Sequence, residues 1–330
     1  MHKKALILIL SAIITSNGFT QSEEKIKPRG PYLGQITPGT SSELFAPGIV
    51  STGMSELNSV FAPDGKAFFF CVRTFQTSSA FVMKEESGVW STPGLLPFAS
   101  RYGDIDVSLS PDGSMLFFCS KRILNPADTA KKDYDIWMSK NNDGSWSEPV
   151  NMGSEVNSHH DDFYPTMARN GNLYFNSQRE KEGTNNIYFS KNVDGVYAPA
   201  EKLGPEINIG TWNFDAFIDP DEQYLILSSN AQGGYGGSDL YISFRSSDVS
   251  WTRAINLGSR VNTNGWDLCP AVTPDGKYLF FTSSGSGSAT VSEKPMNYSQ
   301  YLEALNKPGN GSTDIWWVDA KVIYDLMPAK

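Results

Sequence analysis

The chain has 330 residues, of which 39% are hydrophobic and 19% charged, proportions that exclude a wholly disordered chain or a low-complexity fibre. A formal net charge of −9 repels phosphate backbones and argues against non-specific nucleic-acid binding. Three cysteines (Cys71, Cys119, Cys269) cannot build a disulfide framework.

Lys3 and Lys4 precede an apolar run from Ala5 to Ile14. A positive start and about ten apolar residues fit a cleaved signal peptide, with cleavage expected between Gly18 and Gln21. The run falls short of the ~20 residues that span a bilayer. No later run approaches that length, so no membrane span is expected. No cysteine stands nearby for lipid attachment. The expected location is the periplasm or the exterior.

The rest of the chain repeats. Ala62-Pro63-Asp64-Gly65-Lys66, Ser110-Pro111-Asp112-Gly113-Ser114 and Thr273-Pro274-Asp275-Gly276-Lys277 are the clearest copies. Ala168-Arg169-Asn170-Gly171-Asn172 and Asp219-Pro220-Asp221-Glu222-Gln223 are variants of the same turn. Their spacing is about 50 residues, the length of a propeller blade. Each turn joins two apolar strands, because Pro presets φ and Gly accepts a positive φ. A strand leaves each turn, as at Phe68-Phe69-Phe70 and Leu116-Phe117-Phe118. A third follows, as at Ile136-Trp137-Met138 and Leu240-Tyr241-Ile242. A fourth is expected to open on an aromatic, as in Trp90-Ser91-Thr92-Pro93, with its proline at a sheet edge.

Five four-stranded units around an axis make an all-β, five-bladed β-propeller. The last unit lacks a fourth strand after Trp317, and Leu44 to Val50 matches the fourth-strand segment Trp90 to Leu96. The N-terminal strand is therefore expected to complete the last blade and close the ring. The expected layout is a signal peptide over 1–20, an extension over 21–42, the propeller over 43–320 and a tail over 321–330. A short helix is expected from Tyr298 to Leu305, inside a long loop between Ser283 and Thr313.

Ser110-Pro111-Asp112-Gly113, an aromatic strand and then Asp135-Ile136-Trp137 resemble the Pro-Asp repeat of WD40-like propellers of the TolB type. The resemblance covers roughly Leu44 to Ala320. It implies a periplasmic or secreted binding scaffold.

Seven residues before each turn proline, or its equivalent, stand Glu56, Asp104, Asp162, Asn213 and Asp267. Two residues later come Asn58, Asp106, Tyr164, Asp215 and Cys269. An inner strand rising about 3.3 Å per residue places the first set at the channel mouth opposite the turns. The second strands end on Arg73, Lys121-Arg122 and Arg179 and return to the same face. The candidate ligand-binding set is Glu56, Asp104, Asp106, Asp162, Asp215, Asp267, Arg73, Arg122 and Arg179. These groups either fasten each blade in the same way or bind a polar ligand, a cation or a partner's basic side chain.

The expected role is non-catalytic binding of an envelope protein or glycan by a monomer, with no cofactor. The alternative is a glycan-active hydrolase using Asp104, Asp162 or Asp267, since carboxylates about 5–9.5 Å apart can serve as acid and base. His159 and His160 are adjacent and point to opposite faces of a strand, so no metal site is expected. Gly233 to Gly237 lacks the Lys-Ser/Thr of a phosphate loop and is expected to be a flexible connection.

Overall fold

The computed structural model describes residues 27–99, 101–124, 133–180, 183–247, 250–285 and 294–328. The expected signal peptide lies outside them.

Five antiparallel sheets stand around one axis, four of them built from consecutive strands. Blade 1 has Ser55–Phe61, Ala67–Arg73, Ser78–Glu86 and Gly94–Leu95. Blade 2 has Ile105–Leu109, Met115–Ser120, Asp135–Asn142 and Val150–Asn151. Blade 3 has Asp162–Met167, Leu173–Ser177, Asn186–Ser190 and Glu201–Lys202. Blade 4 has Asn213–Ile218, Tyr224–Ser229, Asp239–Ser247 and Ile255–Asn256. Blade 5 has Asp267–Val272, Tyr278–Ser283 and Asp314–Asp319, and the N-terminal strand Glu43–Leu44 completes it. The five inner strands touch one another in a closed ring.

The closing strand is held by aromatic packing. Phe45 is fully buried, with ring centroids 4.8 Å from Phe280, 5.2 Å from Phe68 and 5.2 Å from Trp317. Burying one such side chain stabilises by about 1.5–3 kcal/mol. Closure also removes the open edges of a linear array.

The turns explain their sequences. Asp64, Asp112 and Asp275 each accept from the N–H two residues on, and the glycines of these turns sit at φ 69–72°. In blade 4 Glu222 takes this role at φ 55°. Its carboxylate accepts from Tyr174 Oη at 2.7 Å and from Arg245 at 3.0 Å, which offsets the unfavourable backbone.

The outer strand differs from expectation. Val89–Trp90 continues a hairpin with the end of the third strand, and the outer pairing resumes after Pro93 at Gly94–Leu95. Pro93 breaks the strand because it has no N–H to donate. The helix Tyr298–Leu305 forms where expected, with a capping box between Asn297 and Gln300.

Candidate functional site

Every inner strand carries a bulge at the same place. Asn58, Asp106, Tyr164, Asp215 and Cys269 all have φ between 49° and 58°. The strand register shifts beside each of them. Asn and Asp tolerate this left-handed conformation best, and they hold three of the five places. The bulge bends each strand so that Val60, Ser108, Thr166, Phe217 and Ala271 line the axial cavity beyond it.

The mouth carboxylates are buried and engaged. Glu56, Asp104, Asp162 and Asp267 are at most 1% exposed. Glu56 accepts from Thr52 N and Oγ1, at 3.2 and 2.5 Å. Asp162 accepts from Ser158 N at 2.6 Å and from Arg179 Nη2 at 2.9 Å. Asp267 accepts from Thr263 N and Ser283 Oγ, each at 2.6 Å. Asp104 accepts from Arg122 Nη2 at 3.1 Å. Burial pushes the Asp267 carboxyl up to about 6 and raises Glu56 and Asp162 against their hydrogen bonds.

Asp162 and Asp267 belong to a connecting motif that strand patterning overlooks. Gly153-Ser154-Glu155-Val156-Asn157, Gly204-Pro205-Glu206-Ile207-Asn208 and Gly258-Ser259-Arg260-Val261-Asn262 recur between blades. Asn157 accepts from Ile136 N at 2.8 Å and donates to Ile136 O at 3.0 Å. Asn208 and Asn262 clamp Ile187 and Leu240 in the same way. Five residues later comes the mouth residue Asp162, Asn213 or Asp267. In two of these connections that acid accepts from the N–H just after the asparagine. The Gly-x-x-Val/Ile-Asn recurrence alone could have revealed the clamp.

The bulge acids form a different set. Asp106 and Asp215 are 6% and 9% exposed. Asp106 Oδ2 accepts from Tyr164 N at 3.3 Å, and Asp215 Oδ2 from Cys269 N at 3.1 Å. Burial raises both carboxyls, and the charge of Asp215 raises Asp106 further. Arg73, exposed at the mouth, acts on Asp106 in the opposite sense. Tyr164 crosses the axis and donates its hydroxyl to Pro270 O at 2.9 Å. Beyond this bar, toward the Pro-Asp turns, lies a cavity of about 350 Å³ lined in part by Asn58 and Tyr164.

The structure thus brings Arg122 to Asp104 and Arg179 to Asp162, while the charge of Asp215 in blade 4 acts on Asp106 in blade 2. It leaves Glu56 on its own loop and ties Asp267 to its loop and to Ser283 of the next strand. Cys71 and Cys119 pair with Leu57 and Ile105, and the equivalent partner of Phe163 is Asn176. Among the described residues no group of three or more His, Cys, Asp and Glu is placed to hold a metal.

Above the buried acids the face is aromatic. Phe75 is fully exposed, Tyr235 is 53% and Trp266 49% exposed, and Tyr298 and Tyr301 are exposed on the helix. The helix loop joins this face because Asn310 donates to Gly53 O at 3.0 Å. The glycine run beneath is anchored, contrary to expectation. Asp239 accepts from Tyr235 N at 2.7 Å and Gly236 N at 3.1 Å, and the Trp266 indole lies against Gly237. No sequence period marks these aromatics.

A solved glycoside hydrolase is similar at a TM-score of 0.51 and 9% identity, over 90% of this chain and 93% of that one. TolB from Acinetobacter baumannii aligns at 0.46 and 12% identity, over 81% of this chain and 57% of its own. A putative TolB from Agrobacterium tumefaciens aligns at 0.47 and 15%, over 84% and 91%. No family model and no curated protein matches the chain. At 9% identity the likeness to the glycoside hydrolase speaks for the fold alone. The five sheets make the chain a five-bladed propeller, and TolB propellers are among the structures it resembles.

Proposed function

We propose that the protein is a non-catalytic recognition scaffold of the cell envelope. It is exported by its N-terminal segment and holds a protein or glycan partner over its charged channel mouth. One observation carries this reading. Five of the six strongly exposed aromatics among the described residues (Phe75, Tyr235, Trp266, Tyr298, Tyr301) stand on the mouth face, and only Tyr324 stands elsewhere. Exposed aromatics gathered on one face of a rigid scaffold suit binding. The mouth acids, by contrast, are occupied with fastening loops.

The test is capture from an envelope extract with Phe75→Ala, Tyr235→Ala and Trp266→Ala combined. Tyr324→Ala is the control on the other face. A partner identified on the wild type and on the control, but absent from the triple variant at unchanged Tm, supports the reading. Equal loss from both variants, or from neither, overturns it.

A glycan hydrolase is the second reading, and Asp106 with Asp215 favours it. Two buried carboxyls that influence each other's protonation can divide the acid and base roles. Release of reducing sugar that disappears in Asp106→Asn and in Asp215→Asn would support it.

A further inference from the structure

The inner-strand carboxylates of the mouth are buried, and three cations stand together at one junction of the same face. Arg122 is spent on Asp104, and Arg179 on Asp162. Arg73 and Arg101 are exposed and Lys121 is half-buried. Among the described residues none of the three makes an ion pair. They gather at the junction of blades 1 and 2. Lys121 Nζ lies 4.6 Å over the Tyr134 ring, and Lys121 N donates to Tyr102 O at 3.2 Å. The Arg101 guanidinium lies 5.3 Å over the Tyr102 ring. The charge of Arg73 reaches the Tyr134 phenol. Phe75 stands fully exposed two residues beyond Arg73. The acids at the margin are Asp161, which accepts from Tyr134 N at 2.8 Å, and Asp133.

We propose that the junction of blades 1 and 2 on the mouth face docks an acidic segment of a protein partner, with Arg73, Arg101 and Lys121 receiving its carboxylates and Phe75 its apolar flank. This rests on the recognition reading and gives its partner a chemistry. Guanidinium forks match carboxylates in two-pronged geometry. Arginine and aromatic side chains together are enriched at protein interfaces. The net charge of −9 on the whole chain repels acidic segments elsewhere, so a local cationic junction also sets where the partner lands.

The probe is an end-capped hexaglutamate peptide with a fluorophore, read by anisotropy beside hexaglutamine and an oligogalacturonate. Arg73→Gln, Arg101→Gln and Lys121→Gln are combined in one variant. Lys66→Gln with Lys277→Gln is the control at the Pro-Asp turns. Expected are preference for hexaglutamate over both other probes, weakening as salt rises, and at least a tenfold loss in the triple variant alone. Equal binding of hexaglutamine, an unchanged triple variant or an equal loss in the control overturns the proposal. Binding of the oligogalacturonate without the peptide also overturns it, in favour of an acidic glycan. If the peptide fails while capture still depends on Phe75, Tyr235 and Trp266, recognition stands and the charge assignment falls.

Discussion

Two sets of carboxylates lie two residues apart on the inner strands, and they behave oppositely. The mouth set (Glu56, Asp104, Asp162, Asp267) recurs in four of five blades and is saturated by backbone N–H groups, hydroxyls and arginines. The bulge set is two residues only, Asp106 and Asp215, each with one oxygen on a neighbouring blade's N–H. Repetition here accompanies fastening, because every blade must solve the same loop problem. The asymmetric pair breaks the repeat and faces the axis, where a chemical or regulatory role is free to develop.

Asp104 carries the largest expected effect. Asp104→Ala leaves Arg122, 14% exposed, without its carboxylate. Removing one partner of a buried ion pair costs about 3–5 kcal/mol. Urea unfolding should show a midpoint shift of that size. A change below about 1 kcal/mol would mean that Arg122 reaches water and that this mouth acid is dispensable to the fold.

Next in size is the clamp that precedes Asp162 and Asp267. Asn262→Ala removes the acceptor of Leu240 N and the donor to Leu240 O and Asn256 Oδ1. Buried groups left unpaired cost about 1–3 kcal/mol. Asn157→Ala should cost a similar amount by the same measurement, since its bonds are the same in kind. A large difference between the two would show that the blades are not energetically equivalent.

The bulge pair should respond to pH in the opposite sense from a salt bridge. Burial and Asp215 raise the Asp106 carboxyl, while Arg73 and the Tyr164 N–H oppose them. A carboxyl raised in the folded state contributes stability in full below its unfolded value of about 3.9. That contribution is lost as pH rises toward the folded value. Asp106→Asn removes the loss. Its Tm should match the wild type near pH 4 and exceed it at pH 8. A variant less stable at pH 8 would show that the Asp106 charge is wanted, which is what a bound cation or a catalytic role requires.

The repeat, the split blade and the ring of acids were legible because each recurs with the turn and with strand alternation. The bulge positions were legible as a column two residues beyond the acids. Their chemistry was not, because Asp106 and Asp215 are far apart in the chain and act on each other's charge only when the ring closes. The sequence does not mark the break in the outer strand at Trp90, since an aromatic before a proline suits either the end of a hairpin or the start of an edge strand. The occupied state of Asp162 and Asp267 was hidden for another reason. Beside the side chains of Arg179 and Ser283, their partners Ser158 N and Thr263 N are backbone groups that no residue type announces.

The smallest expected effect concerns the face above both sets. A Cβ at Gly237 would stand 2.8 Å from the Trp266 ring. Trp266 is half-exposed and can swing away, so Gly237→Ala should cost less than about 1 kcal/mol. The indole would then lose its backing. Trp266 fluorescence, with Trp266→Phe as the blank, should report a more solvated ring at nearly constant Tm. Partner capture should weaken in parallel, because an aromatic held in place binds at lower entropic cost than one that must be ordered. Unchanged capture with a displaced Trp266 would take the blade 4–5 junction out of the recognition surface and leave Arg73, Arg101, Lys121 and Phe75 to carry it alone.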